Sequence, residues 1–225
     1  MLSDVHADPR SLELVLAHAG AEGWDEAIFL GDAVGYGEDA AGAVALLRSL
    51  PLRAGIKGNH EEMLDELRAG RRPNAARPVV ATLSRNLAQL APDDLSYLDG
   101  LRERHLDESW GAVHGALRRR FEYLISVPLA RSNASHMKRD LYFVGHTHVP
   151  AAYIQEPGAG WSLRPFGPNG GRIRLAEGAR AFLNPGSVSV PRDGVAGASY
   201  AIFDEGEREF RVGRAPLAPP ARSSH

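Results

Sequence analysis

A short apolar run that ends in two histidines is the most informative stretch of this chain. It reads LYFVGHTHVP and spans residues 141–150. Leu141 to Val144 have the character of a strand, and His146 and His148 follow directly after a glycine. Side chains two residues apart in extended backbone point to the same side, so both imidazoles are expected at one edge of a sheet. A lone histidine in such a place is more often structural than a ligand, so the interpretation depends on the rest of the chain.

Four other segments share this design, since each is a short apolar run that ends in polar residues. MLS is followed by Asp4 and His6, AIFL by Asp32, AGIK by Asn59 and His60, and GAV by His114. In open α/β sheets the carboxyl ends of the strands meet at one edge, where ligands bind. The glycines beside these residues permit sharp turns. The sequence therefore predicts one site built from five strand ends.

The order of predicted elements indicates an α/β fold. Strands alternate with helices at the start of the chain, where Asp8 and Pro9 have the features of a helix N-cap and first turn. Leucine-spaced residues at about 62–112 predict a helical insertion, and after Pro150 strands separated by turn residues predict a second, largely antiparallel sheet. We expect a single domain over residues 1–213, followed by a disordered tail at 214–225 that is rich in Pro, Ala and Ser.

The composition narrows the functional classes. The 225 residues are 44% hydrophobic, and 26 Lys and Arg against 28 Asp and Glu give a formal net charge of -2. This balance predicts neither extended nucleic-acid binding nor attraction to a membrane. Cysteine is absent from the sequence, which excludes disulfides and thiolate sites. The polar start of the chain does not resemble a signal peptide, so we expect a cytoplasmic protein. The oligomeric state is left open.

The donor chemistry at the predicted edge favours metal ions. Nitrogen and oxygen donors without sulfur suit Mn, Fe, Zn, Ni or Co. The candidate ligands are Asp4, His6, Asp32, Asn59, His114, His146 and His148. Seven side chains are too many for one ion, but they can hold two divalent ions about 3.5–4 Å apart if Asp32 bridges them. Such a site is cationic, so it suits an anionic phosphate and an ionised bridging water.

The five motifs occur in a recognisable order, D-x-H, G-D, G-N-H-E, an isolated H and G-H-x-H. This order resembles the calcineurin-like metallophosphoesterase superfamily. GDAVGYG, GHTHVP and LNPGSVSVPRDG further resemble the small bacterial and archaeal phosphodiesterases of that superfamily, and the resemblance extends to about residue 204. It implies a four-layer α-β-β-α sandwich of two mixed β-sheets flanked by helices.

The resemblance also assigns a role to each site residue. It implies one metal held by Asp4, His6, Asp32 and His148. It implies a second held by Asp32, Asn59, His114 and His146. His60 is placed beside the scissile phosphate, where it stabilises developing charge or protonates the leaving oxygen. Substrate contacts are expected from Asn59, His60 and Arg192.

Three functions remain open at this point. The first is a metal-dependent phosphoesterase that hydrolyses a phosphodiester or a small phosphorylated metabolite with a metal-bridging hydroxide. The second is a Ser/Thr-type phosphoprotein phosphatase, and the third is a non-catalytic scaffold on the same fold. The phosphatase motif G-D-x-V-D-R-G carries a phosphate-gripping arginine, whereas residues 31–37 read GDAVGYG. Glu61 is nevertheless the residue typical of the phosphatases, and the complete ligand set argues against the scaffold.

Two further features are left with open interpretations. The three residues before Asp4 are fewer than the usual first strand of the superfamily, which is consistent with a truncated or misplaced start. The run Arg118–Arg120 follows His114 closely and is either a solvated face or a rim that attracts phosphate.

Overall fold

The computed structural model of the protein describes residues 1–216. The helices in this range are α1 Pro9–Gly20, α2 Ala40–Ser49, α3 Asn59–Arg68, α4 Arg77–Leu87, α5 Pro92–Asp99 and α6 Val127–Ala134. The strands are β1 Ala27–Phe29, β2 Leu52–Gly55, β3 Arg104–Leu106, β4 Trp110–Val113, β5 Leu141–Phe143, β6 Ala151–Gln155, β7 Trp161–Pro165, β8 Gly171–Arg174, β9 Arg180–Asn184, β10 Ala198–Asp204 and β11 Glu209–Ala215.

The first sheet consists of two parts that the start of the chain joins. β1 and β2 are parallel, and β10, β11 and β8 form an antiparallel group in that order. Leu2 pairs in parallel with Phe29 of β1. Met1 exchanges backbone hydrogen bonds of 2.6 and 3.1 Å with Ala201 of β10. The residues before Asp4 therefore lie between β1 and β10, where they take the place of a strand.

The second sheet has the order β3-β4-β5-β9-β6-β7 and is mixed. β4, β5 and β9 run parallel to one another, whereas β3, β6 and β7 pair antiparallel with their neighbours. β4 and β5 are buried along their whole length, as expected for parallel strands covered on both faces. These two strands end at His114 and at the Gly145–His148 turn.

Three clusters of buried apolar side chains fill the spaces between four layers. The first lies between helices α1 and α2 and the first sheet, the second between the two sheets, and the third between the second sheet and α6. Representative members are Leu12 and Tyr200 in the first, Phe143 and Phe210 in the second, and Ala130 and Phe182 in the third. This arrangement confirms the predicted four-layer α-β-β-α sandwich.

Local sequence signals place several helix ends. Asp8 caps α1 by accepting a hydrogen bond of 3.0 Å from the backbone N–H of Ser11, and Pro9 is the first helical residue. Pro92 is the first residue of α5, so Ala91-Pro92 separates it from α4. α3 begins directly at Asn59, so the G-N-H-E motif stands at a helix N-terminus.

The prediction of a second, largely antiparallel sheet after Pro150 is confirmed for the pairing, which is mostly antiparallel, but it is wrong in placing these strands in one sheet. β6, β7 and β9 extend the second sheet beside β5, whereas β8, β10 and β11 complete the first. β9 is buried on both faces over four of its five residues, and it pairs in parallel with β5. Because β9 is an interior strand of a sheet that is covered on both faces, its side chains are buried on both sides. A sheet with one solvated face would leave half of them exposed.

Two predicted boundaries also differ from the structure. The helical insertion expected at about 62–112 ends at Asp99, because Trp110 and Ala112 are fully buried in the core between the sheets and belong to β4. The expected tail begins too early, since Arg214 and Ala215 pair with β10 as part of β11. The remainder of that tail, from residue 217, lies outside the described residues. The assignment of 1–213 to a single domain stays a prediction.

Within residues 1–216, none of the helices combines the length and the apolar character needed to cross a bilayer.

Candidate metal centre

Adjacent strand ends are tied together by backbone hydrogen bonds at one edge of the sandwich. The N–H of Asp4 donates to the carbonyl of Gly31 and the N–H of His6 to that of Asp32, both at 2.9 Å. The N–H of Gly145 donates to the carbonyl of His114 at 2.7 Å. These bonds hold neighbouring loops in register, so side chains that are distant in sequence meet at this edge.

The structure brings the seven predicted ligands together in two groups that share Asp32. The ligand atoms of Asp4, His6, Asp32 and His148 all lie within 4.8 Å of one another, and so do those of Asp32, His114 and His146. The Asn59 side-chain oxygen lies 3.2 Å from His114 Nε2, which places it in the second group. The grouping agrees with the one that the resemblance implies, whereas metal binding itself stays a prediction.

Three of the histidines are oriented by backbone carbonyls. The Nδ1 atoms of His6, His114 and His148 lie 3.0, 2.7 and 2.6 Å from the carbonyl oxygens of Val34, Leu30 and Val190, respectively. A carbonyl oxygen only accepts, so each Nδ1 must carry the proton that it donates. The Nε2 lone pair of a neutral ring is then free for a metal, as is usual for metal-ligating histidines.

Unpartnered acceptors support the fit to a cation. Asp4 Oδ2 accepts hydrogen bonds from Ser3 and from the N–H of His146 at 2.7 and 3.1 Å, but within the described chain Asp4 Oδ1 is buried without a donor. His148 Nε2 lies 3.2 Å from that oxygen and 3.2 Å from His6 Nε2. With the His148 proton on Nδ1, these atoms face one another as acceptors. A divalent cation between them satisfies all of them at once.

The charges of the buried groups also support a cation site. Burial lowers the pKa of His6 to about 3 and that of His146 to about 4, so both rings are neutral near pH 7. Burial acts to raise the pKa of Asp32, but the charges of His114, His60 and His6 and the hydrogen bond with His114 together outweigh it and hold that pKa well below the usual range. Burial acts to lower the pKa of His114, while the charge of Asp32 raises it to about 9. Without metal, a proton on His114 thus balances Asp32, and a cation held by these residues would take over this role.

The backbone at the site is strained. Five of the seven predicted ligands have φ between 49° and 67°, in the left-handed region, and they are Asp4, His6, Asp32, His146 and His148. Asp and His tolerate this region better than most residues, but it remains uncommon for residues other than glycine and is concentrated at functional sites. Gly58 permits the close approach of α3 to this backbone, because a Cβ there would lie 2.6 Å from the N of Asp32.

His60 lies beside the two groups without belonging to either. It is 3% exposed, its N–H donates to Asp32 Oδ1 at 2.9 Å, and its Nε2 lies 3.9 Å from Asp32 Oδ2. Burial lowers its pKa, so the ring is neutral near pH 7. Its ring centroid is 4.7 Å from that of His6 and 4.9 Å from that of Tyr36. The catalytic role of His60 stays a prediction, with a position that is compatible with it.

Glu61 has a structural role that the sequence did not reveal. Its buried carboxylate accepts backbone N–H groups of Asp32, Ala33 and Gly58 at 2.9, 2.7 and 2.7 Å, so it fixes the Asp32 loop to the start of α3. Burial and the charge of Asp32 raise its pKa to about 7, although these donors act in the opposite direction. Because the Glu61 carboxylate binds backbone groups and does not face the substrate side, its presence gives little support to a phosphoprotein substrate.

The loop at residues 185–197 brings Arg192 to the site. Ser187 Oγ donates to the carbonyl of Asp4 at 2.9 Å, and the N–H of Arg192 donates to the carbonyl of His148 at 3.1 Å. The Arg192 guanidinium reaches the hydroxyls of Tyr36 and Tyr123, each at 3.4 Å. Arg192 therefore lies at the margin of the site, and its contact with substrate stays a prediction. The two tyrosines were missed, and the sole signal was the position of Tyr36 between two glycines close to Asp32.

The arginine run after β4 is better described as a surface than as a phosphate rim. Arg118 pairs with Glu122, and Arg120 lies 2.8 Å from Glu62 and 3.0 Å from Glu103. These pairs occupy two of the three guanidinium groups, which favours the solvated face over a rim that attracts phosphate.

Comparisons with known proteins agree with this architecture. Residues 1–208 match the calcineurin-like phosphoesterase superfamily domain. The chain is similar to a metallophosphoesterase of Sphaerobacter thermophilus, with 32% identity, a TM-score of 0.82, and coverage of 96% of this chain and 87% of the other. It is 29% identical to the uncharacterized protein MJ0912 of Methanocaldococcus jannaschii, covering 94% of this chain and 84% of the relative. The hypothetical protein PH1004 of Pyrococcus horikoshii OT3 shares the fold, with a TM-score of 0.71, 14% identity, and coverage of 96% and 87%.

Proposed function

This chain belongs to the calcineurin-like phosphoesterase superfamily, and we propose that it is a dinuclear metal-dependent phosphoesterase that hydrolyses a phosphodiester or a small phosphorylated metabolite. The observation that carries the proposal is the position of Asp32, which is shared by two buried donor groups. Neither a structural core nor a single-ion site needs a carboxylate in that place.

The two metals are assigned to the two groups. Asp4, His6 and His148 hold one ion, Asn59, His114 and His146 hold the other, and Asp32 contributes to both. Two divalent ions about 3.5–4 Å apart clamp a phosphoryl group and make water a nucleophile at neutral pH. The donor types suit Mn, Fe, Zn, Ni or Co without selecting among them. A cytoplasmic location stays a prediction, as does the absence of extended nucleic-acid binding.

The remaining residues act on the substrate directly. His60 stabilises the charge that develops on the phosphoryl oxygens by donating a ring N–H, or it protonates the departing oxygen from its protonated form. Because burial lowers its pKa, the protonated form is the minor one near pH 7. Asn59 and Arg192 position the ester. Glu61 holds the Asp32 loop to the start of α3, so Asn59 and His60 are fixed before the substrate arrives.

The positions of the arginine side chains favour a diester or small metabolite over a phosphoprotein as the substrate. The phosphatase arginine is absent from residues 31–37. Arg192 comes from a different loop and lies at the outer margin, in contact with tyrosine hydroxyls. The dianion of a monoester gains less from this arrangement than from an arginine within the metal loop. A scaffold is disfavoured because all seven donors converge at one site.

The test is metal analysis combined with a substrate panel. Protein stripped with a chelator and reloaded with Mn²⁺ is assayed on bis(4-nitrophenyl) phosphate, 4-nitrophenyl phosphate and a phosphoserine peptide. We expect metal-dependent hydrolysis in which the diester is cleaved at least as fast as the monoester. Strong preference for the peptide would support the phosphoprotein phosphatase instead, and two bound metals without turnover of any ester would support the scaffold.

A further inference from the structure

Three side chains form an exposed rim above the candidate metal centre, and we call Tyr36, Tyr123 and Arg192 the tyrosine–arginine rim. Tyr36 is 42% exposed and Tyr123 is 44% exposed, so both are unusually open for large aromatic residues. The guanidinium of Arg192 bridges the two hydroxyls at 3.4 Å each. These bonds are at the long end of the range for hydrogen bonds, so a ligand can replace them easily.

The rim is attached to the predicted ligands at three separate points. The Tyr36 ring makes an edge contact with His6, at a centroid distance of 4.6 Å. Tyr123 stacks on His146, with centroids 4.2 Å apart and planes 19° from parallel. Arg192 is anchored through its own N–H to the carbonyl of His148. Each rim residue therefore contacts a different histidine, and a substrate on the metals lies within reach of the rim.

The charge of Arg192 is available to an anion. The neighbouring carboxylate of Asp193 pairs with Arg214, whose side chain is almost fully buried. The two contacts of the Arg192 guanidinium are neutral phenols. A guanidinium with neutral partners at the margin of a phosphate site suits a phosphoryl oxygen, for which its planar fork is well shaped.

The stacking of Tyr123 adds a second type of recognition. One face of its ring covers His146, and its high exposure shows that much of the remaining surface is open to solvent. A planar ring placed on that open face extends an existing stack, and stacking on aromatic residues tolerates any base. An aliphatic ester substituent gains no such contact.

We propose that the tyrosine–arginine rim is a substrate subsite that selects phosphate esters carrying a planar ring of the nucleoside type. The ring lies on Tyr123, Arg192 binds an oxygen of the same phosphate group, and Tyr36 closes the opposite side. The subsite rests on the proposed function, because it takes the ester phosphate to lie on the two metal groups.

The kinetic test compares two esters with one leaving group. Thymidine 5′-(4-nitrophenyl phosphate) and methyl 4-nitrophenyl phosphate differ in the retained substituent alone, so the ratio of their kcat/KM values reports the subsite. We expect the protein to prefer the thymidine ester, Tyr123→Leu to reduce that preference at least about fivefold, and Tyr123→Phe to keep it. Ile125→Ala, at a 62% exposed position on the same segment, is the matched control and keeps the preference.

A binding measurement separates the subsite from the chemistry. Calorimetry on the metal-loaded protein with adenosine monophosphate and with methyl phosphate is expected to give tighter binding of the nucleotide, which Tyr123→Leu removes while metal content is unchanged. Arg192→Met is expected to weaken both ligands about tenfold or more. Equal affinity for the two ligands, or a preference that Tyr123→Leu leaves intact, would overturn the subsite. Nucleotide binding without hydrolysis of either ester would contradict the proposed function and leave the subsite standing.

Discussion

The floor of the site and its rim are built in opposite ways. The floor consists of the seven predicted ligands with His60, and all of these except Asn59 are buried. Three of its histidines, His6, His114 and His148, are held by backbone carbonyls at 2.6 to 3.0 Å. The rim of Tyr36, Tyr123 and Arg192 is exposed and held by contacts of 3.4 Å. The predicted ligands are therefore preorganised, whereas the proposed substrate subsite consists of side chains that can move at little cost.

The largest effect is expected from the residue shared by both halves of the floor. Asp32→Asn keeps the shape of the side chain but removes the charge that both donor groups use. We expect loss of both metals and a fall in kcat/KM of at least about 100-fold, since changes in groups that merely support metal ligands already reach that size. Metal content and turnover are measured together.

The control for this variant is Asp140→Asn, at an exposed aspartate away from the site. It should bind metal and turn over substrate like the parent. Two metals and normal turnover in Asp32→Asn would show that this carboxylate does not bridge.

His60 tests whether the floor contains chemistry beyond metal binding. His60→Ala is expected to retain both metals and to lower kcat by about 10²–10³, by analogy with loss of an oxyanion-hole donor. If His60 protonates the departing oxygen, an alkyl ester suffers far more than a nitrophenyl ester, whose anion leaves without help. Equal penalties on both esters indicate stabilisation of phosphoryl charge instead.

His136→Ala at an exposed position serves as the matched histidine control. An unslowed His60→Ala variant would remove His60 from the mechanism, and a variant that also loses metal would place it among the ligands.

A Glu61 variant tests how far the floor depends on the hydrogen bonds that Glu61 makes beneath it. Its expected effect is smaller than those of Asp32→Asn and His60→Ala. Glu61→Gln replaces one acceptor oxygen by an amide nitrogen, which leaves at least one buried N–H of Asp32, Ala33 or Gly58 without an acceptor. This costs about 1–3 kcal/mol, so the metal-free protein should melt roughly 2–10 °C lower. Differential scanning calorimetry provides the measurement.

Glu62→Gln is its neighbouring control, because Glu62 forms a surface pair with Arg120 that contributes little. Equal melting temperatures for Glu61→Gln and Glu62→Gln would mean that the buried hydrogen bonds of Glu61 do not stabilise the loop.

The floor could be predicted because its signals are short and local. An apolar run, a glycine and a polar residue lie next to one another in the sequence, and the parallel strand ends bring five such motifs together. The cap of α1 at Asp8 and the break before α5 at Pro92 are local in the same sense. The positive φ values of Asp4 and His148 had no such signal, because residues other than glycine leave no pattern when they adopt that backbone.

The features that were missed depend on tertiary structure. Tyr123 lies in a segment without regular secondary structure, and its stacking on His146 joins two loops that have no pattern in common. The sequence also did not reveal how β6 to β11 are divided between the two sheets. Alternation of apolar and polar residues shows which face of a strand is buried, but not which sheet the strand joins. Glu61 was interpreted as a subfamily marker, whereas its carboxylate turns inward to backbone donors.

Two hydrogen bonds between His148 and the 185–197 loop would make the predicted metal and the proposed substrate thermodynamically linked ligands. The ring of His148 donates to the carbonyl of Val190, and its own carbonyl accepts the N–H of Arg192. A cation that fixes His148 therefore also narrows the conformations open to Arg192. By reciprocity, an anion that fixes Arg192 raises the affinity for that cation by the same factor. The protein is thus expected to hold its metal more tightly when a phosphate ester is present, so that cellular substrate supply contributes to keeping the centre loaded.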